Sequence, residues 1–153
     1  MTRPQILLTK YETIRTMKGF GDFVREYIEE TASAETGTAE LQDDRYVELS
    51  QKGELRCIAV VDDGVLAGAA VLLVTKSQHY PFPIIATESL YLRKPWRKGR
   101  LGLDLLGAMK ALAVREGSPG LTFMAPPGGK LDRICRVLKM PLIRNLYWCA
   151  CDE

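Results

Sequence analysis

Glu88-Ser89-Leu90-Tyr91-Leu92-Arg93-Lys94-Pro95-Trp96-Arg97-Lys98-Gly99-Arg100-Leu101-Gly102-Leu103-Asp104-Leu105-Leu106 is the stretch whose reading decides the fold. An alternating apolar run gives way to a basic, glycine-bearing turn and then to apolar residues at helical spacing, which predicts strand, turn and helix in succession. The first N–H groups of a helix lack intrahelical acceptors, and the cations beside them add positive charge, so this arrangement suits a phosphate. The segment therefore predicts a phosphorylated ligand.

The rest of the chain bounds that ligand's setting. At 153 residues with 46% hydrophobic content, a single domain spanning 1–153 is expected, with ample material for one core. The formal net charge is only +2, and the one dense basic run is Arg93 to Arg100, with five cations in eight residues. Charge is thus local, which argues against a general polyanion binder. The N-terminal apolar run Ile6-Leu7-Leu8 is too short for a signal-peptide core. The longest apolar run, Val65 to Val74, is broken by Gly68 and falls short of the ~18 residues of a membrane span. A soluble cytoplasmic protein with no membrane partner is expected. Cys57, Cys135, Cys149 and Cys151 lack paired ligand spacing, so reduced thiols and no metal are expected.

Along the chain, residues 4–9 predict a short edge strand. Ile14, Met17, Phe23, Val24, Tyr27 and Ile28 then recur at helical spacing, with Gly19 and Gly21 interrupting the helix. A polar loop over 31–42 precedes a short helix from Asp43 to Gln51. Leu55 to Val61 and Val65 to Thr75 are apolar runs joined by Asp62-Asp63-Gly64, a strong hairpin signal. The strand Ile84 to Leu92 follows, expected near the middle of the sheet. The helix beginning at Leu101 carries Leu105, Leu106, Met109, Leu112 and Ala113 on one face and ends at Gly117. A buried strand at 121–124, a helix with Leu131, Ile134, Cys135 and Leu138 on its stripe, and a last strand over 143–151 complete the pattern. This order predicts an α/β (α+β layered) fold with a mixed, mostly antiparallel central sheet flanked by helices.

The turn Arg97-Lys98-Gly99-Arg100-Leu101-Gly102 resembles the acyl-CoA site of the GNAT superfamily of acyltransferases, which carries Arg/Gln-x-x-Gly-x-Gly/Ala between a central strand and a helix. Arg97 and Gly102 match; Arg100 stands where the first glycine is expected, and Gly99 comes one residue early. The Asp62 to Gly68 hairpin resembles the one that precedes the central strand in this family. His79-Tyr80 and Gly129-Lys130-Leu131 resemble small bacteriophage-encoded members. The resemblance spans roughly residues 43–151. It implies acetyl-CoA as cosubstrate, with Arg97, Lys98, Gly99, Arg100, Leu101, Gly102 and Leu103 around its pyrophosphate. Main-chain groups of the Leu90-Tyr91-Leu92 strand, at Leu90 and Leu92, would hold its pantetheine arm where that strand splays from its neighbour.

The resemblance also implies N-acetylation by direct attack of an amine in a ternary complex. Such an enzyme must hold the thioester, polarise its carbonyl and take a proton from the amine. Glu88, expected on the same face as Leu90 and Leu92, stands where similar enzymes keep a general base. His79 is the alternative base or a positioning group, and Tyr80 a donor to the departing thiolate or a packing residue. Cys135 falls where many members carry a general-acid tyrosine, with Tyr147 a substitute. The N-terminal helices border the acceptor pocket in this family. The acceptor stays open among a small molecule, a protein and, less favoured by the charge, a nucleic-acid-linked amine; a homodimer stays open too. Two other readings remain: a catalytically silent acyl-CoA-binding domain, and a nucleic-acid-binding interaction domain that uses the Arg93–Arg100 cations with Trp96 for stacking.

Overall fold

A computed structural model of the chain describes residues 3–151. They divide into two compact units, one running to Thr122 and one beginning at Phe123. The first holds β1 (Gln5–Thr9), α1 (Tyr11–Ile14), α2 (Phe20–Thr31), α3 (Asp43–Gln51), β2 (Leu55–Asp62), β3 (Val65–Thr75), β4 (Ile84–Leu92), a 3₁₀ turn (Lys94–Trp96) and α4 (Leu101–Arg115). The four strands pair antiparallel in chain order β1-β2-β3-β4. The fold class is the expected layered mixture of helices and a mostly antiparallel sheet.

Side chains of successive strand residues point to opposite faces, so one sheet carries two cores. On one face Cys57, Ala59, Ala69, Val71 and Tyr91 pack with Tyr11, Ile14 and Phe23 of α1 and α2. The alternate residues Ile58, Val60, Ala70 and Leu72 are buried on the other face, and α4, which contacts β2, buries Leu105, Met109 and Leu112. Each large side chain so removed from water contributes about 2 kcal/mol.

Of the two glycines expected to interrupt the helix, Gly19 marks the break, whereas Gly21 lies inside α2. Gly19 has φ 89°, a left-handed conformation, and a Cβ on it would lie 3.1 Å from Val65 Cγ1 and 3.2 Å from Arg93 Nη1. The preceding Lys18 carbonyl accepts the Leu66 N–H at 2.9 Å, so the α1–α2 joint is stitched to the start of β3. The Asp62-Asp63-Gly64 turn closes β2 onto β3 as predicted.

Three expectations are corrected. β4 is the last strand of the four-stranded sheet, not a central one. The expected strand at 121–124 is reduced to a parallel bridge between Thr122 and Ala86: Thr122 N–H donates to Ile85 O, and Thr87 N–H donates to Thr122 O, both at 2.9 Å. No strand forms over 143–151, where Ile143, Leu146, Tyr147 and Trp148 are exposed. Alternating apolar residues specify a face, but a strand also needs a partner ladder for its main-chain groups. In the second unit the regular element is α5 (Lys130–Val137), whose Asp132 carboxylate accepts the Gly128 N–H at 2.8 Å.

Candidate active site

The site begins with an irregularity in β4. Val71 pairs with Ser89 but Leu72 pairs with Thr87, so Glu88 is an extra residue in a β-bulge. Before the bulge, Ile85 and Thr87 turn their main-chain groups outward, to Thr122. After it, Arg93 N–H points inward to Ala67 O at 2.9 Å, so by alternation Leu90 and Leu92 face outward. The bulge therefore hands the outer edge from odd-numbered to even-numbered residues. Thr122 covers only the part before Glu88, and within this unit no strand covers the part after it. Leu90 and Leu92, the residues expected to offer main-chain contacts, lie on that edge, where the Leu92 carbonyl already accepts from the Arg97 side chain.

Tyr91 does not share it. Its main chain belongs to the inward set, and its ring is buried between Phe23 and Tyr27 at centroid distances of 5.7 and 5.8 Å. Burial first, and the neighbouring Glu30 carboxylate second, hold its phenol above the ordinary value. Tyr91 is a core residue, and its main chain faces β3 rather than the outer edge.

Beyond β4 the chain makes its 3₁₀ turn, passes Gly99 at φ 61° and enters α4 after Arg100. The first helical bond is Asp104 N–H to Arg100 O at 2.9 Å. The N–H groups of Lys98, Gly99, Arg100, Leu101, Gly102 and Leu103 have no acceptor within this unit. A Cβ on Gly102 would meet nothing within 4 Å, so the ground in front of these donors is open. Arg3, Pro4, Pro95, Trp96, Lys98, Arg100, Leu101 and Asp104 enclose a hollow of about 290 Å³ beside them. Open N–H groups beside a hollow at a helix start are an arrangement that suits an anion.

Its side-chain charges are distributed otherwise than the motif predicts. The Arg97 guanidinium turns back to the sheet: Nε donates to Leu92 O at 2.5 Å, Nη2 to Glu30 at 2.9 Å, and the group lies 4.9 Å from the Tyr91 ring centroid. Arg93 is bidentate on Glu26 and stacks over Trp96, whose indole N–H donates to Asp62 at 2.7 Å. Lys94 lies 3.7 Å from Glu30, and Arg100 lies 3.9 Å from Asp104. Burial raises the Glu30 carboxyl, but Arg97, helped by the Tyr91 phenol and then Lys94, outweighs it and holds the group below the ordinary value. Arg97 is thus a brace under the turn, and among the expected side-chain cations Lys98 and Arg100 are left facing the hollow.

Glu88 is exposed at the bulge, at the start of the uncovered edge. Its position departs from the sequence expectation. Leu90 and Leu92 pair with Ala70 and Gly68, whereas the extra residue lets the Glu88 carboxylate reach the face of Tyr91, where Tyr46 of α3 donates to Oε1 at 3.0 Å. Strict alternation put the three residues on one face; the bulge breaks it.

His79 and Tyr80 lie in the exposed loop between β3 and β4. Both of their N–H groups donate to Ser77 Oγ, at 3.1 and 3.0 Å, and neither side chain bonds to Glu88. Tyr80 stacks on Phe82 at 5.3 Å, on a separate hollow lined by Lys52, Lys76 and Glu116. The structure therefore does not bring this pair together with the carboxylate. Cys135 belongs to α5 in the second unit, where it is half-buried; burial, then the charge of Asp132, pushes its thiol up. Among the described residues no cluster of three or more His, Cys, Asp or Glu suits a metal ion, and no helix is long and apolar enough to cross a membrane.

No protein-family model matches the chain, and no curated protein sequence matches it. Solved structures do. A ribosomal-protein-alanine N-acetyltransferase from Brucella melitensis biovar Abortus 2308 superposes with a TM-score of 0.70 at 13% identity, covering 97% of this chain and 99% of that one. An aminoglycoside acetyltransferase from an uncultured soil metagenomic sample, solved with sisomicin, gives 0.72 at 12% identity and 96% of both chains. The aminoglycoside N-acetyltransferase AAC(6')-Iy, solved with a bisubstrate analogue of CoA and acetylneamine, gives 0.69 at 12% identity, covering 99% of this chain and 100% of that one. This chain has the N-acetyltransferase fold. Within that fold the bulged strand, the open turn and the start of α4 form one continuous edge. The sources of these structures do not bear out the expected kinship with bacteriophage proteins.

Proposed function

We propose that the protein is an acetyl-CoA-dependent N-acetyltransferase that acts in the cytoplasm on an amine of a small molecule or protein. One observation carries the reading: the uncovered edge of β4 starts at a carboxylate, Glu88, and runs into the unpartnered N–H groups of Lys98 to Leu103. A thioester ligand with a pyrophosphate at one end and an acyl group at the other suits such an edge. In this reading the turn binds pyrophosphate, Leu90 and Leu92 hold the pantetheine amides through main chain, and Lys98 and Arg100 add charge.

Acetyl-CoA supplies an activated acyl carbon. The amine nitrogen forms a bond to that carbon as the carbon–sulfur bond breaks, giving an amide and the CoA thiolate. An ammonium with a pKa near ~10 must first lose a proton, and Glu88 takes it, directly or through water. The thiolate leaves with a proton drawn from solvent or from a side-chain donor. Related folds act on aminoglycosides and on a ribosomal-protein alanine, which supports an amine acceptor of either kind. The nucleic-acid reading is disfavoured because Arg93, Lys94 and Arg97 are already paired with Glu26 and Glu30, and Trp96 with Asp62.

Calorimetry with acetyl-CoA tests the cosubstrate, and trapping of free thiol across a panel of sisomicin, neamine and an alanine-initiated peptide tests turnover. Acetyl-CoA should bind, and Gly102→Asp should abolish binding by placing a carboxylate in front of the anion-binding N–H groups. Unchanged affinity in that variant would discard the assignment. Binding without thiol release from any amine would favour the silent acyl-CoA-binding domain.

A further inference from the structure

Tyr46 belongs to no motif, yet its hydroxyl is the group that holds Glu88. It donates to Oε1 at 3.0 Å from α3, 42 residues away in sequence. Its ring is held in turn by a stack on Tyr11, with centroids 5.1 Å apart and planes at 23°. The Tyr11 hydroxyl donates to Asp43 Oδ1 at 2.7 Å, and Asp43 also pairs with Arg15. A chain of contacts from α1 and α3 thus ends on one carboxylate oxygen at the bulge. Tyr27 of α2 and Ser89 of β4 also lie near the Tyr46 side chain.

We propose that Tyr46 is a positioning residue for the Glu88 carboxylate, occupying Oε1 so that Oε2 is presented at the uncovered edge. The inference rests on the reading of Glu88 as the base. Burial first, and the charge of Glu88 second, push the Tyr46 phenol up to about 12, so it remains a donor across the neutral range. Its contribution is orientation: an exposed glutamate samples several rotamers, and one fixed oxygen restricts them. In the step itself the amine proton passes to Oε2, and Tyr46 keeps its own proton.

The test is a double-mutant cycle of Tyr46→Phe and Glu88→Gln, read as kcat and KM with acetyl-CoA and whichever amine of the panel above releases most thiol. Tyr46→Phe keeps the ring and its stack on Tyr11. It should lower kcat about tenfold while the KM for acetyl-CoA stays within about twofold, because only the hydrogen bond to the carboxylate is lost. In the Glu88→Gln background the same change should have no further effect. A parental kcat in Tyr46→Phe, or an equal loss in both backgrounds, overturns the positioning role and leaves the base standing. A parental rate in Glu88→Gln, or no thiol release from any amine, overturns the base and the positioning role together.

Discussion

Arg93 and Glu26 form a bidentate pair, with Nη2 2.9 Å and Nε 3.1 Å from the carboxylate oxygens, and the arginine side chain is only 12% exposed. The pair ties the end of β4 to α2 and lies beside the turn that leads into α4. Removing one member of a partly buried pair leaves the other desolvated and uncompensated. Glu26→Gln should therefore destabilise the protein by about 2 kcal/mol, measured by urea denaturation. Unchanged stability would mean that Arg93 finds water in place of Glu26.

At Gly68, β3 and β4 leave no room for a side chain. A Cβ there would lie 2.9 Å from Tyr91 O and 2.8 Å from Leu92 Cδ1; the leucine tip can turn aside, but the carbonyl cannot. Gly68→Ala should push β4 outward opposite Leu92, cost about 1–3 kcal/mol by overpacking, and weaken acetyl-CoA binding through the displaced edge. A lowered midpoint in thermal unfolding together with a raised dissociation constant is the expected pair of results. An unchanged midpoint would refute the close approach.

Acid should expose the role of Glu30. Its folded-state carboxyl lies below the ordinary 4.5, chiefly because Arg97 outweighs the effect of burial. A depressed carboxyl contributes stability that is fully present above the ordinary value and is lost as pH falls through the folded one. Stability should thus be insensitive to this group from neutrality down to about pH 5 and decline below it. Glu30→Gln should start less stable at pH 7 and show a shallower decline on acidification, followed by denaturant titration at several pH values. Parallel curves would show that the Arg97 pair does not persist in solution.

How far the sequence is legible depends on the range of the interaction. The α4 stripe, the Asp62 to Gly64 turn and the break at Gly19 are local patterns, and each lies where the residues predict it. The open N–H groups before Asp104 follow from helix geometry alone. The orientation of Arg97 was not legible, because it depends on Glu30 and Tyr91 being brought beneath the turn. Tyr46 carried no signal beyond its place in a helical region that borders the acceptor pocket in similar proteins, since its partner is 42 residues distant. The bulge was hidden because no residue type in Thr87-Glu88-Ser89 demands one. The apolar alternation of 143–151 was legible but misleading, as it cannot specify a partner ladder.

The single unpaired residue in β4 has a consequence for variation. Downstream of it every side chain and every main-chain group faces the direction opposite to the one an unbroken strand would give it. Loss of Glu88 would leave Leu72 opposite Thr87 and Val71 opposite Ser89, so the strand would close into a regular ladder with Leu90 and Tyr91 facing as they do now. A deletion at the bulge should therefore be absorbed by the fold while removing the carboxylate, whereas an insertion between Leu90 and Leu92 would put Leu92 out of step with Gly68.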